Sequence, residues 1–537
     1  MIKNIYTLKK IGIVGLLLIF SQNTLAQKVT LRAADRTKKR VQVVEKKQKV
    51  TPKKVEKKQI RSVDVFDIEL QKVSSLLEQG QFQNAAIKLF ILLRSPQIKN
   101  RTAQVRYMLG VALTHLNLKQ IASFQFIQAM DGQQGPIKKS SVQKLSEIAA
   151  DLGDETLLNY VFNNLQLKDF PETEKEALYF KLGQVRYENG DYSKALELFK
   201  RVGSSSRFSL DAQYYMGLSY SQMNEDEKAL NVYQNLLTNN ESKTITSPVR
   251  VQSQLAVARS YYKKQNWETA ISEYAKIPRD SEYWTDALFE QTWAMLRSGR
   301  LRSALSNFHT LHSPYYENIY NPESLLLRSI VYLYICKYDE MDKVLSIYKK
   351  NYNSLSKELK KSIGRAGEIY EQVDSYRRGK KDFKFLLPIG VIRKILLQEE
   401  IQNQFFYLDK ITSEKKLLVE NYGIKKTSLG IYGLKVLNRR IVATENKIAL
   451  MIKESLIKIN TELQQFSEQA DLIAFEMTSG KTQQLKKKIS NNSINTMDEK
   501  ISRDFFIENG FQYYAFKGEY WWDEVGNFHY FGQQGCE

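Results

Sequence analysis

Four histidines are the residues of this sequence best suited to metal chemistry, and two of them are spaced to act together. His309 and His312 are three positions apart and would share one face of a helix, whereas His115 and His529 stand far from them. Zinc sites complete such a pair with cysteine or carboxylate ligands at characteristic spacings. Neither residue type follows the pair at a matching spacing. We therefore predict no metal site.

The patterns of common catalytic sites are also missing. The sequence contains no His-Glu-x-x-His motif, no phosphate-binding glycine loop and no Gly-x-Ser-x-Gly motif. The acid pair Asp523-Glu524 would point to opposite faces of a strand, so its two carboxyl groups could not share acid–base chemistry. We predict no catalytic residue and no cofactor, and hence a binding protein rather than an enzyme.

The sequence contains two cysteines, Cys336 and Cys536. In an oxidising compartment they could pair and join the C-terminal tail to the body of the protein. Alternatively, Cys336 is a small core residue and Cys536 is a free or intermolecular thiol. A single pair is too little to decide between these arrangements.

A repeated spacing of 34 residues predicts the helices that carry these side chains. Gly183 and Gly217 are 34 positions apart, and so are Ala195 and Ala229. Such a period is typical of helix–turn–helix solenoids. Small residues at these places let two helices of one repeat approach closely, and large residues such as Phe199 fill the space against the next repeat. One unit cannot bury its apolar face alone, so neighbours must stack.

This pattern resembles the tetratricopeptide repeat (TPR), whose units consist of two antiparallel helices, A and B. Its pattern recurs in about eight copies between residues 66 and 352, of which five are good matches. The twentieth positions of the eight copies are Ala85, Ala122, Leu158, Ala195, Ala229, Ala270, Ala304 and Met341. In the last copy Cys336 stands where the turn glycine belongs. The resemblance implies an all-α, right-handed solenoid over residues 63–352, with some degenerate repeats.

TPR proteins generally bind extended peptides or helices along a concave surface lined by helix A. The second, fifth, ninth, twelfth and thirteenth places of each repeat face this groove. Mapped onto this sequence, the resemblance predicts a partner-binding groove that is aromatic and basic: Tyr107, Phe180, Gln184, Tyr187, Tyr214, Arg259, Tyr262, Lys263, Phe289, Trp293 and Arg297. Aromatic and arginine side chains are typical interface anchors. The alternative is that some of these aromatic residues pack between repeats.

After the repeats, residues 353–490 predict a long helical hairpin with helices at about 389–422 and 430–488. Apolar residues of the second helix alternate by four and three, which is a coiled-coil pattern: Ile452, Leu456, Ile459, Leu463, Phe466, Ala470, Ile473 and Met477. This seam predicts packing within the chain, with dimerisation as the alternative.

The C-terminal tail, residues 491–537, is rich in aromatic residues and carries a turn pattern at Val525-Gly526-Asn527. The segment from Gly518 to Gly526 resembles the C-terminal end of periplasmic TPR proteins of bacterial envelope machines, including gliding-motility complexes. We expect a small aromatic cap folded over the helical hairpin. A docking strand or a carbohydrate-facing patch is the alternative.

The N-terminal residues predict export. Residues 1–27 read as a signal peptide, with basic residues such as Lys9 before an apolar stretch from Ile11 to Phe20 and a cleavage site before Gln27. An apolar stretch of this length is too short to span a bilayer, although an uncleaved anchor is the alternative. No cysteine follows it, so the sequence lacks a lipoprotein attachment site. We expect a periplasmic protein.

Residues 28–62 form a basic arm. They contain 14 Lys or Arg against three Asp or Glu, a net charge of +11 within a total of +21. Such a segment is expected to be extended and disordered. It predicts contact with an anionic surface, either membrane headgroups or wall polymer, or else a solvated spacer. Binding to nucleic acid is not expected of an exported protein.

Together these features predict a non-enzymatic protein–protein interaction scaffold of the bacterial cell envelope. An accessory factor for outer-membrane protein assembly or secretion is a second interpretation. A cell-wall-associated enzyme or enzyme activator is a third. The sequence identifies no partner and no oligomeric state.

Overall fold

The computed structural model describes residues 65–130, 135–153, 157, 175–238, 248–380, 384–490 and 519–530. The predicted signal peptide and basic arm lie outside these residues. The described part is helical and contains no β-strand, as the predicted all-α fold requires. In chain order its helices are α1 Val65–Glu78, α2 Phe82–Leu92, α3 Thr102–His115, α4 Lys119–Met130, α5 Pro136–Leu152, α6 Lys175–Glu188, α7 Tyr192–Phe199, α8 Ser209–Gln222, α9 Asp226–Thr238, α10 Pro248–Lys263, α11 Trp267–Tyr274, α12 Trp284–Arg297, α13 Leu301–Leu311, α14 Pro322–Tyr334, α15 Tyr338–Ile363, α16 Ala366–Arg377, α17 Ile389–Leu396, α18 Glu399–Glu420, α19 Tyr422–Lys425 and α20 Ser428–Ser490.

The turns between the two helices of a repeat share one backbone feature, a residue with positive φ. One residue in the turn between the two helices has a left-handed backbone conformation. This conformation lets backbone N–H groups of the turn bond carbonyl groups at the end of the first helix. Glycine adopts this conformation without strain, and Gly190 has φ 77°. Other residues take the same place in other repeats, with φ between 56° and 61°: Asn117, Asn224, Gln265 and Cys336. Cys336 therefore occupies the position of the turn glycine, as the repeat frame predicts.

Close packing within a repeat depends on a glycine of the A helix beneath an aromatic ring of the B helix. A Cβ on Gly183 would lie 2.4 Å from the ring of Phe199, and one on Gly217 would lie 2.3 Å from the ring of Tyr233. The Phe199 ring also lies 5.5 Å from that of Tyr215 in the next repeat. The large residue thus fills space both within its own repeat and against the next one.

The C-terminal helices pack against the repeats and do not project from them. The predicted helix 389–422 is divided into α17, α18 and α19, and the predicted boundary at residue 352 lies inside α15. The long helix α20 packs along α18 and also contacts α2 and α4 near the start of the repeats and α14, α15 and α16 at their end. Its seam is buried within the chain, from Ile452 at 0% exposure to Met477 at 9%. The seam therefore packs within the chain.

The tail residues 519–530 lie on the repeats, not on the helical hairpin, so the predicted place of the aromatic cap is wrong. The backbone N–H groups of Gly526 and Tyr530 donate to hydroxyl groups of α13, Thr310 Oγ1 at 3.0 Å and Ser306 Oγ at 3.0 Å. The side chain of His309 lies between Tyr520 and Phe528. Hydroxyl groups on the surface of α13 fix the tail here because they satisfy its backbone donors.

Cys336 is disulfide-bonded, and Cys536 is the only other cysteine of the sequence, although it lies outside the described residues. We therefore expect proteolysis of the purified, non-reduced protein to release a peptide from the last repeat linked to the C-terminal peptide. Mass spectrometry before and after reduction measures this link. Recovery of both cysteines as free thiols would contradict it, and the Cys336→Ser variant is the control that must lose the linked peptide.

No helix in the described part of the chain is both long enough and apolar enough to cross a membrane.

Candidate protein-interaction surface

In the four repeats that begin at α8, α10, α12 and α14, the second place carries a polar side chain. These residues are Asp211, Gln252, Asp286 and Glu323, separated by 41, 34 and 37 positions. The twentieth places from Ala229 to Met341 have the same separations, so the residues are equivalent in the repeat frame. We refer to the solvent-accessible second, ninth, twelfth and thirteenth places of α6, α8, α10, α12 and α14 as the A-helix surface. These second-place residues are not among the groove residues predicted from the sequence, most of which are aromatic or basic.

Two of the fifth places, Phe180 and Leu255, are buried between repeats, whereas Tyr107, Tyr214 and Phe289 at the same place are partly exposed. Phe180 is only 5% exposed and stacks on Phe208, with ring centroids 5.1 Å apart. Leu255, at the same place, is 3% exposed. Tyr107 packs, partly buried, against the hydrophobic core that includes the first repeats, and its ring lies edge-on to that of Phe126 at 5.7 Å. The buried side chains of Phe180 and Leu255 therefore stabilise the stacking of the repeats.

Tyr187 and Tyr214 are partly buried in a ladder of tyrosines between successive repeats. The Tyr187 ring lies edge-on to Tyr192 at 5.4 Å and to Tyr215 at 5.5 Å, and Tyr214 lies 6.0 Å from Tyr233. Burial raises the pKa of Tyr187, and it raises that of Tyr214 to about 12. These two predicted groove residues therefore contribute to packing as well as to the surface.

The best-formed aromatic part of the surface lies on α10 and α12. Tyr262 is partly exposed and packs edge-on to Trp267 at 5.0 Å, which fixes its ring. Phe289 and Trp293 are partly exposed on the next A helix. Rings that are held in place and keep one accessible side are typical anchors for a bound segment.

The predicted basic residues of the groove are already engaged within the chain. Arg259 makes a two-pronged ion pair with Glu290, at 2.8 Å through Nε and 2.6 Å through Nη2. Lys263 bonds the carboxylate of Asp226 at 2.7 Å, and Arg297 bonds the hydroxyl group of Tyr262. Gln184 accepts a hydrogen bond from Lys181 at 2.9 Å. Arg259 and Lys263 are thus paired with carboxylates, whereas Arg297 contacts a neutral hydroxyl group.

The acidic side chains at the second places have no such partners. No side chain among the described residues pairs directly with Asp211, Asp286 or Glu323. Burial raises the pKa of all three, and it raises that of Glu323 to about 7. Asp286 keeps its access to solvent although neighbouring atoms raise its pKa.

Helix α17 and the start of α18 face the second places. The Tyr215 hydroxyl group donates to Glu399 at 3.4 Å, and Glu399 also raises the pKa of Asp211. Lys394 lowers the pKa of both Asp286 and Glu323, but its own ion pair is with Glu462 at 3.1 Å. The A-helix surface is therefore bordered on one side by the chain's own C-terminal helices, which the repeat frame could not predict.

The two neighbouring histidines are engaged in packing. The imidazole of His312 is buried against Ser324 Oγ at 2.9 Å and the Arg328 guanidinium at 3.2 Å. Burial lowers the pKa of His309, which the tail covers, to about 4. In the described part of the chain no group of three or more histidine, cysteine or carboxylate side chains is placed to hold a metal ion.

A family model for the tetratricopeptide repeat matches residues 176–205 and 211–241. These two units contain Gly183 and Gly217, and Ala195 and Ala229, each pair 34 positions apart. No curated protein matches the sequence.

The chain is also similar to several solved structures at low sequence identity. A Rap protein complexed with competence and sporulation factor is 11% identical and covers 66% of this chain and 100% of its own, with a TM-score of 0.30. A tetratricopeptide repeat protein from Parabacteroides merdae is 14% identical, covers 54% and 94%, and has a TM-score of 0.23. The TPR domain of P58(IPK) is 12% identical, covers 71% and 99%, and has a TM-score of 0.19.

Proposed function

We propose that this chain, which carries tetratricopeptide repeats, is a non-enzymatic scaffold that binds a segment of a partner protein along the A-helix surface. The observation that carries the proposal is the division of the A helices into two kinds of place. The fifth places Phe180 and Leu255 are buried between repeats, whereas Tyr262, Trp293 and Asp286 keep access to solvent on successive A helices. A row of aromatic and charged side chains that the fold does not need for its core is suited to binding.

We further propose that this scaffold works in the bacterial cell envelope as a part of a periplasmic complex. Support comes from the sequence of residues 1–27, with its basic start, short apolar stretch and small residues at the cleavage site. The basic arm at residues 28–62 would then contact an anionic membrane or wall polymer. Both segments lie outside the described residues.

A photo-crosslinking amino acid placed at Tyr262 or Trp293 in the cell of origin tests both parts of the proposal. We expect crosslinks from both positions to the same one or two envelope proteins, because the two residues lie on neighbouring A helices. The control positions are Lys194 and Lys228 on the B helices α7 and α9, whose side chains are 65% and 64% exposed. These should not crosslink to the same proteins.

The nature of the crosslinked proteins separates the alternatives. A set rich in outer-membrane β-barrel proteins would indicate an accessory role in their assembly or secretion, and wall enzymes would indicate a role in wall metabolism. Crosslinks confined to the chain itself would mean that the A-helix surface is covered by its own helices, and would overturn the binding proposal.

A further inference from the structure

Helix α20 carries a second row of apolar side chains on the side away from its buried seam. These residues are between 44% and 68% exposed: Val442, Leu450, Ile457, Leu472 and Phe475. Successive members are 8, 7, 15 and 3 positions apart, close to whole numbers of helical turns, so they share one face. Ile457 follows the seam residue Ile452 by five positions, which places the two about 140° apart around the helix axis. We call this exposed row the outer stripe.

The outer stripe is longer than the scattered apolar residues of an ordinary protein surface. It runs from residue 442 to residue 475, about 50 Å at 1.5 Å per residue. Single exposed apolar side chains need no explanation, whereas a contiguous row of them marks an interaction site. Helix α20 packs against the other helices through its seam, so the outer stripe is available to a partner.

The exposed charges of α20 change sign along the helix. Between residues 431 and 458 they are five cations and one acid: Lys435, Arg439, Lys447, Lys453, Lys458 and Glu454. Between residues 459 and 478 they are all acids: Glu468, Asp471 and Glu476. Asp471 lies 3.9 Å from Lys349 but its side chain is 79% exposed, and the cation that follows, Lys481, is paired with Asp339 at 3.1 Å. A helix complementary to this face therefore needs acids opposite the first half of the stripe and cations opposite the second.

Helix α20 itself has this distribution when it runs in the opposite direction. Val442 lies 15 positions before Ile457 and Leu472 lies 15 positions after it, so a twofold axis at Ile457 sets these apolar side chains opposite each other. Arg439 and Phe475 are each 18 positions from Ile457, which matches a cation with an aromatic ring. A parallel pair would instead set each half of the stripe against its own charge.

We infer that α20 forms an antiparallel dimer with α20 of a second copy of this chain, through the outer stripe and with Ile457 at the twofold axis. Such a contact uses the same surface on both copies and closes after two. A stripe about 50 Å long and about 10 Å wide covers about 500 Å² on each copy, near the lower limit for a specific interface. The dimer is therefore weak. The inference does not depend on the proposed function, and the dimer carries two A-helix surfaces.

Sedimentation velocity of the purified chain between about 1 and 100 μM tests this inference. We expect the wild type to change from monomer to dimer over this range. Two charge-reversed variants, Lys435→Glu with Arg439→Glu and Glu468→Lys with Asp471→Lys, should each raise the dissociation constant about tenfold or more, because like charges then face each other at both ends of the contact. An equimolar mixture of the two variants should recover the dimer, since each offers the charge that the other lacks.

A third variant controls for net charge. Lys194→Glu with Lys228→Glu makes the same change in net charge as the first variant, on exposed residues of α7 and α9. It should dimerise like the wild type. Circular dichroism checks that every variant keeps the helical fold.

Cysteine crosslinking tests the direction of the two helices. In a background with Cys336→Ser and Cys536→Ser, we expect Ile457→Cys to form a disulfide-linked dimer on mild oxidation, because the axis brings the two copies of this position together. Val442→Cys should not link to itself but should link to Leu472→Cys when the two variants are mixed. Linking of Val442→Cys to itself would indicate a parallel pair and overturn the inference.

Two other results would also overturn it. One is a wild type that stays monomeric at about 100 μM, and the other is a mixture of the charge-reversed variants that does not recover the dimer. A monomeric wild type that binds vesicles of phosphatidylcholine and phosphatidylglycerol, and loses this binding with Ile457→Asp, would assign the outer stripe to a lipid surface instead. These results leave the binding proposal for the A-helix surface unchanged.

Discussion

Replacing Gly217 by alanine is expected to lower the free energy of unfolding of its repeat by about 1–3 kcal/mol, the typical cost of overpacking a core. The added Cβ would lie 2.3 Å from Cε1 and 2.6 Å from Cζ of Tyr233. That ring cannot withdraw easily because Tyr233 is only 2% exposed. Either α8 and α9 must move apart or the ring must leave its place between the repeats.

Urea unfolding followed by circular dichroism measures the loss, and hydrogen exchange locates it in α8 and α9. Gly367→Ala is the matched control, because Gly367 also lies in a helix but a Cβ there meets no atom within 4 Å. Alanine is favoured over glycine in a helix by about 0.5–1 kcal/mol, so this control should gain stability.

The variant Gly217→Ala with Tyr233→Leu separates packing from backbone effects. If the clash is the cause, the combined variant loses less stability than the sum of the two single changes. Strict additivity would contradict the role assigned to the glycine–aromatic contact.

The repeat units could be predicted because each depends on residues close together in the sequence. Gly183 and Phe199 are 16 positions apart, and the turn at Gly190 lies between them. Small residue, turn residue and aromatic ring therefore recur with a fixed period that can be read directly. The left-handed conformation of Cys336 follows from the same frame.

Features that depend on distant parts of the chain could not be predicted in this way. The place of the tail depends on the hydroxyl groups of Ser306 and Thr310, which lie more than 200 positions before it. No period relates α17 to the A helices that it borders. The ion pairs of Arg259 and Lys263 could not be predicted for a similar reason, since their partners Glu290 and Asp226 lie on neighbouring helices.

A carboxylate that joins the C-terminal helices to the second repeat should make the free energy of unfolding depend on pH. Glu414 of α18 accepts hydrogen bonds from the backbone N–H groups of Gln120 and Ile121, at 2.7 and 3.1 Å, in the first turn of α4. The Tyr407 hydroxyl group donates to the side chain of Gln120 at 2.8 Å and receives a bond from Arg440 at 3.0 Å. These contacts hold the C-terminal helices on the second repeat.

Burial raises the pKa of Glu414 from 4.5 to about 7, although the two amides oppose the shift. The folded chain therefore holds this proton more tightly than the unfolded chain does. The resulting stabilisation is complete below about pH 4.5, is lost as the pH rises to about 7, and stays constant above that. A shift of this size corresponds to about 3 kcal/mol.

The variant Glu414→Gln keeps a carbonyl acceptor for α4 but cannot ionise. We expect the free energy of unfolding of the wild type, relative to this variant, to fall by about 3 kcal/mol between pH 5 and pH 8. Taking the difference removes the titration of all groups that the two proteins share. Glu368→Gln is the control: Glu368 is an exposed carboxylate whose pKa is lowered by Arg365, so its difference should stay flat over this range.

A difference between wild type and Glu414→Gln that stays flat from pH 5 to pH 8 would mean that the amides of Gln120 and Ile121 keep the carboxylate ionised throughout. Glu414 would then act as an ordinary helix cap, worth about 0.5–2 kcal/mol at every pH above its titration. A falling difference instead makes the contact between the C-terminal helices and the second repeat weaken as the pH rises through neutrality. The same carboxylate would then set how firmly the border of the A-helix surface is held.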